Sequence, residues 1–119
     1  MDPRRQFGNL AEKLAARFLV SKGMKIIKRQ YRTRAGEIDL IARDGNEIVF
    51  VEVKARRGHQ FGYPEESVTS SKLRKIQTTA ELYLQKHCLL GSSYRIDVVA
   101  IEYQEDADPI ITQVPVVEV

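Results

Sequence analysis

A turn dipeptide between two aliphatic runs most constrains how this chain folds. Asp44 and Gly45 interrupt segment 36–54, which is otherwise rich in Ile, Val and Leu. Asp-Gly readily adopts the positive φ angles of a tight hairpin turn, so the segment predicts two antiparallel strands. With these two residues at the centre of the turn, we expect Arg43 to pair with Asn46.

Alternation along such strands sorts the side chains into two faces. The first face is predicted to hold Ile38, Leu40, Ala42, Val49, Val51 and Val53. The second is predicted to hold Glu37, Asp39, Ile41, Ile48, Phe50 and Glu52. In this register Glu37 stands opposite Glu52 and Asp39 opposite Phe50, while Lys54 continues the second face. Three acids and one lysine therefore gather at the open end of the hairpin.

This gathering of carboxylates calls for a compensating charge. Like charges that face one another destabilise a sheet, and partly covered carboxylates also lose hydration. Mg²⁺ or Mn²⁺ is a natural partner, because a hard cation binds a few carboxylate oxygens and keeps several waters. The alternative is a solvated hairpin mouth in which Lys54 neutralises Glu52.

Length and composition favour one globular domain spanning residues 1–119, without a disulfide framework. The chain has 119 residues, 43% of them hydrophobic and 29% charged. Cys88 is the only cysteine, which excludes an intrachain disulfide and a cysteine-rich zinc site and fits a reducing compartment. The charged N-terminus and the lack of a long apolar stretch predict a cytoplasmic protein that does not enter the membrane.

The charges are unevenly distributed along the chain. Residues 1–35 carry ten Lys or Arg against two acids, whereas residues 36–53 carry five acids against a single Arg. Basic segments around an acidic centre suit a polyphosphate ligand, with nucleic acid as the predicted partner. A scattered, solvated charged surface is the alternative.

The flanking segments predict a mixed sheet with two helices. Apolar residues recur at helical spacing over about 5–22, led by Phe7, Leu10, Ala11, Leu14, Ala15, Phe18 and Leu19. Further predicted elements are an irregular strand at 24–31, a helix capped by Ser70 or Ser71 and running to about His87, a doubly buried strand at 94–103, and an edge strand at 110–114 with fraying residues beyond it. Residues 104–109 are predicted as a turn. This order predicts an α/β fold with three layers, α/β/α, and a mixed sheet of about five strands.

Several cations are candidate phosphate ligands. Residues 55–66 are predicted to form a basic flap that carries Arg56 and Arg57, with Phe61 or Tyr63 available for stacking on a base. Lys72 falls in the first turn of a helix, where a cation is mildly unfavourable, so an anionic partner is expected, either phosphate or the carboxylates. The nucleic-acid-binding candidates are Arg32, Arg34, Arg56, Arg57, Lys72 and Lys75. Exposed salt bridges, a plain connecting loop and solvated lysines are the alternatives.

The spacing of Asp39 and Glu52-Val53-Lys54 is typical of a phosphodiester-cleaving site, because the acids can share a metal that lies close to the Lys54 ammonium. This pattern resembles the restriction-endonuclease-like PD-(D/E)xK superfamily, and more closely the YraN-like proteins, which are similar in fold to Holliday-junction resolvases. The likeness extends over Gly8, Glu12, Gly23, 36–41, 50–54, Arg56, Phe61-Gly62, Lys72, Lys75-Ile76, Ala80 and 95–99. Ile38 stands where the superfamily usually has proline.

The resemblance assigns roles to individual residues. It implies that Asp39 and Glu52 bind Mg²⁺ or Mn²⁺ together with the Val53 carbonyl, and that Lys54 is catalytic. It implies that Glu12 reaches the metal through water, and that Glu37 assists.

At the level of function, the resemblance implies an endonuclease acting on DNA, with branched or flapped structures as candidate substrates, and a homodimer by analogy with resolvases. The first alternative is a nucleic-acid-binding or assembly module without catalysis. The second is a metal-dependent phosphatase or nucleotidase that acts on small molecules.

Overall fold

A computed structural model describes residues 3–57 and 68–118, with the side chains of residues 8–57 and 68–117. The elements are, in order, α1 (Pro3–Ser21), β1 (Lys25–Thr33), β2 (Gly36–Asp44), β3 (Glu47–Arg57), α2 (Ser70–Lys86), β4 (Tyr94–Gln104) and β5 (Ala107–Glu118). Among the described residues, no helix is both long and apolar enough to cross a membrane. The predicted α/β class with a mixed sheet of about five strands is confirmed.

The sheet keeps its strands in chain order, β1-β2-β3-β4-β5. The first three strands form an antiparallel meander, which contains the predicted hairpin. β3 and β4 then pair in parallel, joined by a connection that contains α2, and β5 pairs antiparallel with β4. β3 is therefore the strand at which the antiparallel meander meets the parallel pair.

The predicted register of the hairpin is wrong: the centre of the turn lies one residue later, so the partner of each residue shifts by two, and Arg43 pairs with Ile48 instead of Asn46. Asp44 pairs with Glu47, so Gly45 and Asn46 form the centre of the turn. Gly45 has a φ of 61° at the first central position, where type II′ turns favour glycine. Asp44 is thereby left in the ladder as its last residue.

This register changes the predicted pairs at the candidate site. Ile41, and not Asp39, lies opposite Phe50, and the described ladder ends where Leu40 pairs with Val51. The predicted pairing of Glu37 with Glu52 is therefore also wrong.

Ile38 also departs from its predicted face. Alternation groups it with Leu40, but it packs with Ile41 and Phe50 in the cluster that includes α2. Leu40 belongs instead to the cluster that includes α1. The simple alternation of β2 is thus interrupted between Ile38 and Leu40, at the position of Asp39.

Helix α1 packs small residues closely against the sheet. Its fully buried residues are Ala11, Ala15, Ala16 and Leu19, which join Leu40, Ala42, Val49, Val51, Val99 and Ile101 in one cluster. Leu10 was predicted in the apolar stripe but is 49% exposed, because the buried stripe is narrower than the sequence pattern. The Phe7 side chain lies outside the described residues. The helix ends with a Schellman pair of hydrogen bonds, from Gly23 to Val20 and from Met24 to Leu19.

Helix α2 contributes to a second cluster with larger residues. Ile76, Ala80, Tyr83 and Leu84 pack with Ile38, Ile41, Ile48, Phe50, Tyr94 and Ile96. Thr69, and not Ser70 or Ser71, is the N-cap, since its hydroxyl accepts the Lys72 amide at 3.2 Å. Successive residues of β3 alternate between the two clusters, as residues of a strand buried on both sides do.

The C-terminal segment is more ordered than predicted. The turn after β4 is short, because Ala107 already pairs with Gln104. β5 then continues through Pro115, which lies opposite Asp97 next to a register irregularity, and ends at Glu118. The predicted turn over 104–109 and the predicted fraying after Val114 are therefore wrong. Pro115 is accommodated because β5 is an edge strand.

Phe50 provides a test of this core. Its side chain is fully buried, and its ring lies edge-on to Tyr83 and Tyr94 at centroid distances of 5.8 and 5.7 Å. We expect Phe50→Ala to lower the free energy of unfolding by about 3–5 kcal/mol, because it leaves a cavity and removes both ring contacts. Urea denaturation measures the change. Ile110→Ala is the control, since Ile110 is 40% exposed. Equal losses in the two variants would contradict this packing.

Candidate metal and nucleic-acid site

Asp39 is held where the ladder between β2 and β3 ends. The last described pair is Leu40 with Val51. Just beyond it, the backbone N–H of Val53 donates to Asp39 Oδ2 at 2.8 Å. A side-chain carboxylate thus satisfies this backbone amide, which fixes Asp39 against β3.

Further carboxylates surround Asp39. The pKa of Asp39 is raised from its ordinary 3.8 to about 7, first by burial and then by the negative charge of Glu52. Glu12 and Glu37 act in the same direction, while the hydrogen bond from Val53 opposes them. The three acids expected at the hairpin mouth do come together, and α1 adds a fourth.

Glu12 reaches this cluster from the neighbouring helix. Gln30 of β1 donates its side-chain amide to Glu12 Oε2 at 3.1 Å. Glu12 Oε1 is buried and has no hydrogen-bond partner among the described residues. Gln30 was missed by the sequence reasoning. It has a φ of 51° within β1, a backbone irregularity that its residue type does not reveal.

Two lysines converge on one oxygen of Glu52. Lys72 Nζ lies 2.7 Å from Glu52 Oε1, and Lys54 Nζ lies 3.5 Å from the same atom. The Glu52 side chain is only 9% exposed. The anionic partner expected for Lys72 is thus, in this structure, a carboxylate of the cluster.

The two lysines respond differently to this environment. Burial lowers the pKa of Lys54, and the adjacent Lys72 ammonium lowers it further. For Lys72 burial is the largest single influence and also acts downward, but hydrogen bonding to Glu52 and Lys54 together with the negative charges of Glu52 and Asp39 outweighs it, so the pKa is raised. Lys72 therefore holds its proton more firmly than Lys54.

A cavity of about 400 Å³ opens beside these lysines. It is lined by Gly36, Glu37, Glu52, Thr69, Ser71, Lys72, Lys75 and Ile76. Lys75 is exposed and lies one helical turn from Lys72. The floor of the cavity is thus acidic, and its α2 wall carries two lysines.

The remaining basic candidates of the β1–β2 connection lie further out. Arg32 Nε is 3.2 Å from Glu37 Oε2, and both side chains are about two-thirds exposed. Arg34 is exposed in the turn that follows β1. An exposed pair of this kind is weak, so Arg32 is readily available to another anion.

Arg56 and Arg57 belong to β3 and not to a flap. β3 extends to Arg57, so the predicted loop from Ala55 begins too early, and its residues 58–67 lie outside the described residues. The Arg56 side chain is only 16% exposed, and its Nε lies 3.9 Å from Glu102 Oε1. Arg57 is exposed at the end of the strand.

A second charged cluster, around Arg95, was also missed by the sequence reasoning. Arg95 contacts Asp44 and Glu47 at the hairpin turn and Asp97 on its own strand. Gln113 donates to Asp97 at 2.6 Å, and Asp97 is 1% exposed. Because this arginine forms ion pairs with three carboxylates, the cluster links the β2–β3 turn to β4.

The carboxylates around Asp39 have the chemistry of a site for a hard cation. Within the described parts of the chain, no group of three or more His, Cys, Asp or Glu is already positioned to hold a metal ion. However, Glu12 Oε1 is a buried oxygen without a hydrogen bond among the described residues, and burial followed by the negative charge of Glu52 raises the pKa of Asp39. Asp39 and Glu52 would suffice for Mg²⁺ or Mn²⁺, which often takes one or two carboxylates and retains waters.

Comparison with known proteins adds the family. The model of the uncharacterised protein family UPF0102 matches residues 11–101, which include every element from α1 to β4 in whole or in part. The chain belongs to UPF0102. The predicted YraN-like family is thereby confirmed.

Relatives in UPF0102 resemble this chain over most of their length. A UPF0102 protein of Symbiobacterium thermophilum is 50% identical over 101 residues, 82% of this chain and 83% of the relative. One from Rhodococcus opacus is 48% identical over 107 residues, 90% and 91% of the two chains. One from Caldicellulosiruptor saccharolyticus is 44% identical over 98 residues, 82% and 83%.

The unfavourable ionisation of Asp39 has a measurable effect on stability. Its folded pKa of about 7 lies above its ordinary 3.8, so the unfolded chain loses this proton first as the pH rises. The free energy of unfolding therefore falls between about pH 4 and pH 7 and stays lower above that. Asp39→Asn keeps an oxygen acceptor for Val53 and removes the charge. We expect it to raise the free energy of unfolding by about 1–2 kcal/mol at about pH 8 and to change it little near pH 4.

Urea denaturation in the presence of a chelator measures this effect at both pH values. Asp108→Asn, at an exposed position of β5, controls for the general loss of a negative charge. If the free energy of unfolding of Asp39→Asn were no higher than that of the unaltered protein at the higher pH, the ionised form of Asp39 would not be destabilised by its surroundings.

Proposed function

We propose that this chain is a Mg²⁺- or Mn²⁺-dependent endonuclease that cleaves phosphodiester bonds in DNA, with branched or flapped structures as candidate substrates. The carrying observation is that Glu52 interacts with both Asp39 and Lys54. Burial and the negative charge of Glu52 raise the pKa of Asp39, and Lys54 Nζ lies 3.5 Å from Glu52 Oε1. Two neighbouring acids beside a partly desolvated lysine suit the metal-dependent hydrolysis of a phosphodiester.

The acids would act as metal ligands. Asp39 Oδ2 is already bonded to the Val53 amide, so this bond orients the carboxylate before any ligand arrives. The Val53 carbonyl is proposed as a further ligand. When bound, the metal ion neutralises phosphoryl charge and lowers the pKa of a bound water. Glu12 would hold a water of the ion through its unpartnered Oε1, with Glu37 assisting at the outer side.

Lys54 would be the catalytic cation. Its ammonium forms an ion pair with Glu52, and from this position it would donate to a phosphoryl oxygen or to the attacking water. Because burial and Lys72 lower its pKa, Lys54 gives up a proton more easily than an exposed lysine does. Both properties suit a group that orients the attacking water and stabilises charge as it develops.

The basic residues around the cavity would bind the DNA backbone. Lys72 and Lys75 line the cavity next to the acids, and exposed Arg34 and Arg57 offer further phosphate contacts. Arg32 and Arg56 belong to the same set, although each is near an acid of its own. Contacts of this type track the phosphates and do not read base sequence.

The proposed fold class supports this activity. We infer a three-layer α/β/α arrangement of the restriction-endonuclease-like PD-(D/E)xK type. Its support is that α1 and α2 pack into separate clusters and that successive residues of β3 alternate between them. In such an arrangement the acidic end of β3 is open to a substrate between the helices.

One observation favours a second candidate, a module that binds nucleic acid or an assembly partner without catalysis. Glu52 Oε1 already has two ammonium groups within 3.5 Å, so its charge is balanced without a metal ion. A binding module would retain its affinity for DNA when Asp39 or Lys54 is replaced, and it would show no turnover.

Cleavage assays on defined DNA distinguish the two candidates. We expect the protein to cut at least one of single-stranded, duplex, flapped or four-way-junction DNA in the presence of Mg²⁺ or Mn²⁺. Asp39→Ala and Lys54→Ala should each reduce the rate by about a hundredfold or more, since the first removes a proposed ligand of the metal ion and the second removes the proposed catalytic cation. Lys86→Ala, in the last turn of α2, should cleave at the unaltered rate.

Gel electrophoresis of end-labelled DNA follows the products. Cleavage by the unaltered protein that is no faster than cleavage by Asp39→Ala and Lys54→Ala on every substrate would contradict the nuclease. Retained DNA affinity in all of these proteins would then favour the binding module. Turnover of free nucleotides that DNA does not inhibit would point instead to a phosphatase.

A further inference from the structure

The contact between Lys72 and Glu52 is unusual for a lysine on the wall of an open cavity. Its 2.7 Å distance is the shorter of the two lysine contacts on Glu52 Oε1. Glu52 is buried in the sheet, whereas 39% of the Lys72 side chain remains exposed. Lys72 thus enters the acidic cluster from outside and supplies a positive charge there.

The backbone of Lys72 is fixed, but its side chain has room to move. Its N–H is bonded to the N-cap hydroxyl of Thr69, and α2 is anchored by Ile76, which is 4% exposed. The side chain faces the cavity of about 400 Å³ that Lys75 also lines. A lysine has four rotatable bonds, so its ammonium can leave Glu52 without any shift of the helix.

We propose that Lys72 is a tethered cation that occupies the metal-binding oxygen of Glu52 until a phosphate of the substrate draws it into the cavity. This inference rests on the proposed function, because it assumes that Glu52 is a ligand of Mg²⁺ or Mn²⁺. Lys72 is thereby a positioning residue that makes the binding of metal and of DNA depend on each other.

The charges around Glu52 explain why the exchange is feasible. Lys54 and Lys72 are two like charges that share one carboxylate oxygen, so each weakens the hold of the other. A phosphate oxygen offers Lys72 an anionic partner away from Lys54. A divalent ion at Glu52 can then balance Asp39 and Glu52 together, which a single ammonium does less well.

Thermodynamic linkage gives the consequence. If DNA removes Lys72 from Glu52 and thereby strengthens metal binding, then metal must strengthen DNA binding by the same factor. Without DNA, Lys72 competes with the ion, so the affinity for the ion is reduced. In the absence of substrate, Lys72 therefore reduces the binding of other cations to the carboxylates.

Mn²⁺ binding measured without catalysis tests this inference. Electron paramagnetic resonance of free Mn²⁺ gives the dissociation constant for the unaltered protein and for Lys72→Met, which removes the ammonium and keeps most of the chain length. We expect Lys72→Met to bind Mn²⁺ about tenfold more tightly in the absence of DNA, because a charge-assisted contact no longer has to be broken. Lys72→Gln provides a second variant, and circular dichroism confirms that each is folded.

Arg74→Met is the matched control. Arg74 is exposed on the same helix, and its replacement removes the same charge without touching Glu52. We expect less than about a twofold change in its Mn²⁺ affinity, the size of a general electrostatic effect on a screened surface. An equal gain in Arg74→Met and Lys72→Met would overturn the inference, because it would attribute the gain to net charge.

The same Mn²⁺ affinities are then measured in the presence of a saturating phosphorothioate DNA duplex, which resists cleavage. The Mn²⁺ bound by the duplex alone is measured separately and subtracted. The duplex should raise the Mn²⁺ affinity of the unaltered protein about tenfold and that of Lys72→Met less than about twofold. An equal rise in both proteins overturns the inference and leaves the nuclease standing. Absence of Mn²⁺ binding in both, with and without DNA at millimolar ion, overturns the proposed function as well.

Discussion

The hydrogen bond from the Val53 amide to Asp39 is the interaction on which the candidate site depends. It forms where the backbone ladder of the β2–β3 hairpin stops, so a carboxylate closes the gap that the ladder leaves. Burial at that position makes ionised Asp39 costly, and the neighbouring acids add to the cost. The hydrogen bond from Val53 thus fixes Asp39 in place, and the negative charges of the neighbouring carboxylates require a cation to balance them.

Lysines balance that charge from two directions. Lys54 comes from the same strand as Glu52, two residues further on, whereas Lys72 comes from α2 across the cavity. The helix that contributes Lys72 is fixed by its own apolar cluster, in which Ile76 and Tyr83 pack beneath the sheet. Packing on that cluster therefore determines where a mobile cation can reach the acids, which links the core to the chemistry at the surface.

Local patterns in the sequence predicted the hairpin, both helices and the parallel pair because each depends on periodicity or on a turn residue. They failed where competing local choices differ little in energy. Either Asp44-Gly45 or Gly45-Asn46 can form a two-residue turn, and one step between them changes every pair in the ladder. Asp39 and Glu52 were identified from strand alternation, and an anionic partner for Lys72 was expected from its place at the start of a helix. The approach of Gln30 to Glu12 depends instead on tertiary contacts that periodicity does not encode.

The central claim is that Asp39 and Glu52 share a metal ion, and anomalous diffraction from crystals soaked in Mn²⁺ tests it most directly. We expect an anomalous peak within bonding distance of both carboxylates, with Lys72 Nζ withdrawn from Glu52 Oε1. A map without a peak there at saturating Mn²⁺, in which Lys72 still contacts Glu52, would contradict it.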